Sequence, residues 1–468
     1  MPQPTTADPL SPDLAVIGAG PAGVHAALAA TEAGLRVTLV DEAPHAGGQV
    51  FRAPLDGSPA PGEDGRAGDA LRRALAASSV VHLAGQRVWT VSTAPLGLSL
   101  AGSGGVQRIR PRAVLVATGA TERVVPFPGW TLPGVIGLAA ATILLKAPGP
   151  LPAGPIVVAG RGPLLAATAA GLLARGTAIA CVVDEATRAD WARTLPALLA
   201  APGLLAKGVG WLRALRRAGV PVLHGHRVAE AWGTTCVEAV RIRRMDGGGT
   251  ERLVPARLLA VGHGLVPATD ILRLFGAPMR QDSRDGSWLP QLDPHGRTGV
   301  PGLYAAGDGT GIQGAAAAAL AGQLAGQAAA RDLGAAAPGG NGARALRRAA
   351  RAGRAMAALM TPPAARLAEI PPETIVCRCE DVTRAEIDAA FHDGARDMNQ
   401  LKTRTRCGMG PCQGLVCGPI VAALAAMHPH AAVPLLPWTV RPPLGALPIA
   451  ALVGDFGYDD IPAVRPAI

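Results

Sequence analysis

A short apolar run from Asp13 to Ile17 enters Gly18-Ala19-Gly20-Pro21-Ala22-Gly23, continues as an Ala-rich stretch to about Ala33, and returns as a second apolar run, Arg36 to Val40, closed by Asp41-Glu42. Few patterns restrict a fold so strongly. Gly18 permits the tight turn, Gly20 lets the backbone approach a pyrophosphate, and Gly23 lets the helix pack close on the strand. The helix N-terminus, opened by Pro21 and Ala22, then faces the phosphates with free N–H groups. Asp41 stands about twenty residues on, where a carboxylate can accept hydrogen bonds from ribose hydroxyls, with Glu42 as a neighbouring candidate. The string alone is weak evidence. In this register it predicts the first half of a doubly wound α/β unit.

Three later segments favour FAD over NAD in that unit. Gly47-Gly48-Gln49 follows the acid closely, Ala117-Thr118-Gly119 ends a predicted strand, and Gly307-Asp308 ends another just before a Gly- and Ala-rich helix. Their order and spacing resemble the flavoprotein superfamily typified by glutathione reductase. That resemblance implies that Asp308 meets the ribityl chain of FAD, with Gly48, Gln49, Thr118, Gly119 and Gly307 lining the same cofactor. A second strand–turn–helix unit opens at Ile156, but Leu165 holds the place of the third glycine and the only candidate ribose acid is Asp184. We read this second unit as vestigial or repurposed, with a working NAD(P) site as the alternative. The disulfide reductases of the superfamily need a CxxC pair beside the flavin. No cysteine precedes Cys181 and no CxxC occurs, so that mechanism is excluded.

Five of the seven cysteines crowd into 41 positions near the C-terminus. Cys377-Arg378-Cys379 is followed, after 27 residues, by Cys407-Gly-Met-Gly-Pro-Cys412. Four thiolates in two close pairs suit a [2Fe–2S] cluster or tetrahedral zinc, and the one-residue CxC spacing fits zinc ribbons less well. Gly408, Gly410 and Gly414 allow backbone amides to approach cluster sulfur. Cys377, Cys379, Cys407 and Cys412 are therefore the expected ligands. Cys417 reads as a bystander, and Cys181 and Cys236 as core residues.

Composition removes other classes. Hydrophobic residues make up 49% of 468, enough for sizeable cores, whereas aromatic residues are only 3%, too few for base-stacking platforms. Only three of the 44 basic residues are lysines, so the net charge of +10 is nearly all arginine, spread thinly except between Arg344 and Arg354. Nucleic acid is not an expected partner. No apolar run reaches the roughly 18–20 residues of a membrane span, and Met1 to Asp13 has no basic region of a secretory signal. A cytoplasmic protein is expected, with any membrane association made through partners.

Taken in order, Asp41 to Arg52, Gly119 to Val135, Ala260 to Thr269, Gly307 to Gly314 and the cysteine segment resemble the alpha (A) subunits of heteromeric, dye-linked amino- and imino-acid dehydrogenases. Opine oxidase, hydrogen cyanide synthase and the proline and hydroxyproline dehydrogenases are the types. The cysteine segment resembles bacterioferritin-associated ferredoxin. The resemblance implies a glutathione-reductase-like pair of Rossmann-type domains plus a small α-helical [2Fe–2S] domain. The expected division is an FAD domain over 1–145 and 296–335, a second NAD(P)-type domain over 146–295, a linker and basic helix over 336–370, a cluster domain over 371–430, and an extended Pro-rich tail over 431–468. It further implies a beta subunit with a glycine- or D-amino-acid-oxidase-like flavin fold, a further small subunit in some members, an FMN enclosed between subunits, and a quinone or other electron acceptor. Another adenine nucleotide in place of FAD belongs to the same expectation. No catalytic acid–base pair is identified in this chain. Two alternatives stay open from the residues: a stand-alone NAD(P)H-dependent flavin and iron–sulfur oxidoreductase, and a zinc- and nucleotide-bearing structural subunit.

Overall fold

The computed structural model describes residues 10–54, 62–147, 149, 151, 154–338, 342–432 and 434–449. The expectations for the first nine residues of the 1–145 domain, for part of the 336–370 linker, and for the tail beyond 449 therefore lie wholly or partly outside the described residues.

The first dinucleotide fold is built as its sequence implies. Leu14–Ile17 (β1) is wholly buried, Pro21–Glu32 (α1) follows the glycine turn, and Val37–Asp41 (β2) pairs parallel with β1. Val81–Ala84 (β3) and Ala113–Val116 (β4) extend the sheet, and a strand from far along the chain, Leu303–Ala305, completes it beside β4. Apart from β3, a partly exposed edge strand, these strands are buried on both faces and read as continuous apolar runs instead of alternating ones. A helix, Gly62–Ala76, precedes β3. Its spacing of Leu71 and Leu75 gives it one buried edge. Three antiparallel strands, Arg87–Thr93, Leu96–Gly102 and Gly105–Ile109, form a separate small sheet.

The second fold repeats the plan. Val135–Gly137 (β5) leads into Leu138–Lys146 (α2); Ile156–Gly160 (β6), Pro163–Ala174 (α3) and Ile179–Asp184 (β7) follow. Val222–His224 (β8) and Leu258–Gly262 (β9) complete a five-stranded sheet in the order β8-β7-β6-β9-β5. The order reverses between β6 and β9, which places a crevice at their carboxyl ends. Leu165, in place of the third glycine, is 1% exposed and packs inward within an apolar cluster with Ile156, Val158 and Leu172.

The late strand Leu303–Ala305 (β10) returns the chain to the first sheet, and Ala315–Asp332 (α4) lies along α1. The two helices meet backbone to backbone. A Cβ on Gly322 would stand 1.9 Å from the Ala22 carbonyl oxygen and one on Gly326 2.3 Å from that of Ala26. The Ala-rich sequence of both helices is thus a packing requirement, not a compositional accident. Gly342–Met360 (α5) carries the arginine stripe on its exposed side, and Ala364–Ala368 (α6) turns the chain into the C-terminal unit. That unit has its own apolar core, centred on Phe391, Leu401 and Val421. Arg384–His392 (α7), Met398–Thr405 (α8) and Gly418–Ala426 (α9) surround a two-stranded ribbon, Ile375–Cys377 with Val382–Thr383. Among the described residues no helix is long and apolar enough to cross a membrane.

Candidate functional site

The first turn is shaped by steric necessity. Gly18 sits at φ +100°, and a Cβ there would fall 2.4 Å from the Ala117 carbonyl oxygen; a Cβ on Gly23 would fall 1.7 Å from that of Gly18. Gly20 differs, because the nearest atom to a Cβ there is the Gly48 Cα at 3.9 Å. Gly20 is therefore small for something other than the protein's own packing. Gly48 reaches this place because the Gly47 N–H donates to the Ala19 carbonyl at 2.8 Å.

Asp41 does not stand free toward a ribose. Its carboxylate accepts from the Ala19 N–H at 2.5 Å and the Ala43 N–H at 2.7 Å, which locks the turn to the end of β2. Glu42 is at the surface, paired with Arg87 at 3.0 Å. Gln49 and Val50 give their carbonyls to Lys146 Nζ at 2.8 and 2.9 Å. Thr118 Oγ1 donates to the Ala268 carbonyl, and a Cβ on Gly119 would meet only open space. Gly307 packs on Ala22, where a Cβ would come within 2.7 Å of that side chain. Asp308 is a largely buried carboxylate; its Oδ1 accepts from the Gln313 and Gly314 N–H groups at 2.9 and 3.1 Å. Burial pushes its pKa up against those two bonds.

The second turn has the same skeleton and different surroundings. Asp184 accepts from the Gly162 and Ala186 N–H groups at 3.1 and 2.9 Å, as Asp41 does in the first fold, and also from Trp191 Nε1 at 2.8 Å. With these partners and 2% exposure, Asp184 is a brace for the turn and not the ribose acid considered from sequence. Met360 lies directly on the turn: a Cβ on Gly162 would meet its Cγ at 2.5 Å, and one on Gly264 its Cβ at 2.9 Å. Arg161, 9% exposed, donates from Nε to the Leu359 carbonyl at 2.6 Å and pairs with Asp190. Glu185 is 2% exposed and accepts from Arg366 Nε at 3.0 Å. Its other neighbour is His263, whose Nδ1 accepts from the Val125 N–H, so its Nε2 carries the proton toward Glu185 at 3.3 Å. Burial alone pushes the Glu185 carboxyl up, but His263 and Arg366 outweigh it and hold the pKa at about 2.

The cysteine segment brings its five thiols into one neighbourhood, divided differently from the two pairs read from sequence. Cys377, Cys407 and Cys417 are buried with their sulfur atoms all within 4.8 Å of one another. Cys417, read from sequence as a bystander, lies inside this group. It precedes α9 at the point where Gly414 (φ +81°) turns the chain inward. S–H donation from Cys407 and Cys417, with help from the Gly408 and Glu380 N–H groups, pulls the Cys377 thiol down to about 2, while the two donors are pushed up. Cys379 is exposed and hydrogen-bonded to half-buried Cys412. Of the other two, Cys181 is buried in the core as expected, whereas Cys236 is exposed on the loop after a surface strand. The donor set is soft, sulfur-only and fed by N–H groups, which fits iron–sulfur ligation.

Trp438, from the segment read as an extended tail, covers this region. Its ring blocks the positions that Cβ atoms on Gly408 and Gly414 would take, at 2.6 and 2.3 Å, and its Nε1 donates to the Met398 carbonyl at 2.6 Å. Nothing in its local sequence signals this role. On the other side, Trp130 Nε1 donates to the Ile375 carbonyl at 2.6 Å, and Arg378 lies 5.4 Å over the Trp130 ring. A cavity of about 280 Å³ opens there, lined by Glu122, Val135, Arg378, Leu415 and Val416 among others. Burial raises the Glu122 carboxyl to about 7, against bonds from the Ala139 and Leu138 N–H groups at the start of α2.

Comparison with known proteins identifies two families along the chain. Residues 12–322 match the pyridine nucleotide-disulphide oxidoreductase family, and residues 375–427 match the BFD-like [2Fe-2S] binding domain. The chain is 39% identical to the A subunit of opine oxidase from Agrobacterium tumefaciens (strain Ach5), over 88% of this chain and 85% of that one. It is 34% identical to the HcnB subunit of hydrogen cyanide synthase from Pseudomonas aeruginosa, over 86% and 90%. Among solved structures, L-proline dehydrogenase from P. horikoshii shares the fold with a TM-score of 0.67, at 22% identity, covering 95% of this chain and 80% of that one.

Proposed function

We propose that this chain, which belongs to the family of the opine oxidase A and hydrogen cyanide synthase HcnB subunits, is the flavin- and [2Fe–2S]-containing subunit of a heteromeric dehydrogenase that oxidises the C–N bond of an amino or imino acid. The observation that carries this reading is the pairing, in one chain, of a dinucleotide turn left open at Gly20 with a buried group of thiols. FAD, when bound, supplies a group that accepts two electrons together and releases them singly. Gly18 to Gly23 and Gly48 would hold its pyrophosphate, Glu42 its ribose, and Asp308 its ribityl chain, with Gln49, Thr118, Gly119 and Gly307 around them. Asp41 keeps the turn in shape by holding the Ala19 and Ala43 N–H groups.

The cluster would take four of the five thiols. Cys377, Cys379, Cys407 and Cys412 are the proposed four, and Cys417 stands within reach as the fifth. Backbone N–H groups of Gly408 and Glu380 stabilise negative charge on Cys377, and Trp438 excludes water from Gly408 and Gly414. Both effects tune a cluster's potential. Substrate oxidation is assigned to a partner, since the relatives are named as subunits; a beta subunit with a flavin fold, an interfacial FMN, a quinone acceptor and a cytoplasmic location belong to the same reading.

An anaerobic absorption spectrum of the purified chain, with iron analysis and identification of the released nucleotide, tests it. Flavin bands with a long-wavelength shoulder and about two irons per chain are expected. Colourless protein carrying zinc would overturn it. Single Cys→Ser variants then assign the ligands, because four should lose iron and one should keep it.

A further inference from the structure

The crevice of the second fold is where a dinucleotide would touch three places: the glycine turn after β6, the acid following β7, and the loop after β9. In this chain one continuous segment touches all three. Met360 presses on Gly162 of the turn and on Gly264 of the loop after β9. The Leu359 carbonyl takes the Arg161 guanidinium, a group otherwise suited to phosphate. Arg366 takes Glu185, the residue directly after Asp184. The same segment is anchored on its outer side, where a Cβ on Gly353 would collide with the Gln313 carbonyl oxygen at 1.7 Å, and it runs straight into the cysteine-bearing unit.

We propose that the second dinucleotide fold is a socket for the arm that carries the cysteine unit: residues 353–366 occupy the nucleotide crevice as a built-in ligand, so the chain neither binds NAD(P)H nor takes electrons from it. The contacts are those of a designed seat. An apolar side chain fills the space over the turn, and a buried, paired charge fixes the register, as buried polar pairs can. Ordinary packing of a passing helix would not engage the turn, the acid and the third loop together. The consequence is that this fold holds the thiol cluster at a set position against the flavin domain, in place of a nucleotide.

The test uses the full chain with whatever cofactors it retains. NADH and NADPH are titrated anaerobically, followed by calorimetry and by visible absorbance. The proposal expects no saturable binding across the roughly 1 μM–1 mM range in which enzymes hold their substrates, and no bleaching. Saturable binding of either nucleotide to the wild-type chain overturns it. Met360→Ala, which only shortens a side chain, is the second arm. Hydrogen exchange in residues 342–368 should rise about tenfold, with exchange in residues 14–41 unchanged. Unchanged exchange in the arm would show that Met360 does not seat it, and would equally overturn the proposal. Neither measurement needs iron, an amine substrate or a partner protein, so their failure is distinguishable from failure of the functional reading above.

Discussion

The two dinucleotide folds of this chain share a skeleton and differ in what lies on it. In each, an aspartate at the end of the second strand, Asp41 or Asp184, accepts N–H groups from the glycine turn and from two residues beyond itself. In the first, the next residue, Glu42, is at the surface and the space over Gly20 is free. In the second, Glu185 is buried against Arg366 and the space over Gly162 is taken by Met360. The difference teaches that a Rossmann-type fold is a scaffold for holding something at the carboxyl ends of its strands. Whether that is a nucleotide or another part of the same chain depends on a handful of contacts.

The largest effect should come from breaking the seat of the arm. Glu185→Ala removes the carboxylate that neutralises Arg366 and receives His263, leaving a cation buried without its partner. Such losses cost about 3–5 kcal/mol, read as a lower denaturation midpoint. The same residue sets an acid limit: its pKa is depressed, so its stabilisation is present above the ordinary glutamate pKa of 4.5 and is lost as pH falls toward about 2. A variant as stable as wild type would mean that the arm is held by something else.

A matched pair of glycine variants compares the two turns directly. Gly20→Val has ordinary backbone angles and no neighbour to strike, so the chain should fold but hold its nucleotide about 100-fold more weakly, or ~2.7 kcal/mol. Nucleotide recovered per purified chain reports this. Gly162→Val has a left-handed φ of +95° and Met360 in the way, so it should keep the bound nucleotide yet lose about 1–3 kcal/mol of stability. The reverse outcome would place the nucleotide in the second fold.

The smallest effect concerns Glu122, at the join of the second fold and the cysteine unit. Its folded pKa of about 7 lies above the ordinary 4.5, so the folded state retains a proton that the unfolded chain has released. Stability from this group is complete below pH 4.5 and falls as pH rises through 7, by about 2 kcal/mol between pH 5 and 7. Unfolding curves of Glu122→Gln should lack that slope.

The first glycine turn was legible. Gly18, Gly23 and Asp41 are fixed by local geometry, and the order of Gly48, Gly119 and Asp308 along the chain already named the fold. The cysteine segment was legible as a group of thiols, but the place of Cys417 within that group was not. Spacing pairs Cys407 with Cys412, whereas the turn at Gly414 brings Cys417 to Cys377 and Cys407, and that is a matter of three-dimensional path. Trp438 could not have been found at all, since its only signal is an isolated aromatic in a Pro-rich stretch.

By itself the sequence determined two Rossmann-type units, an open glycine turn in the first and a thiol-rich C-terminal unit. Those properties follow from short-range sterics and from residue chemistry that does not depend on distant partners. Only the tertiary structure decided what fills the second crevice. Met360 is almost two hundred residues from Gly162, and Arg366 almost as far from Glu185. No local pattern in a basic helix reveals that its last turn will be buried in a nucleotide cleft. That outcome depends on the folded positions of strands β6, β7 and β9, which bring three separate loops within reach of one segment.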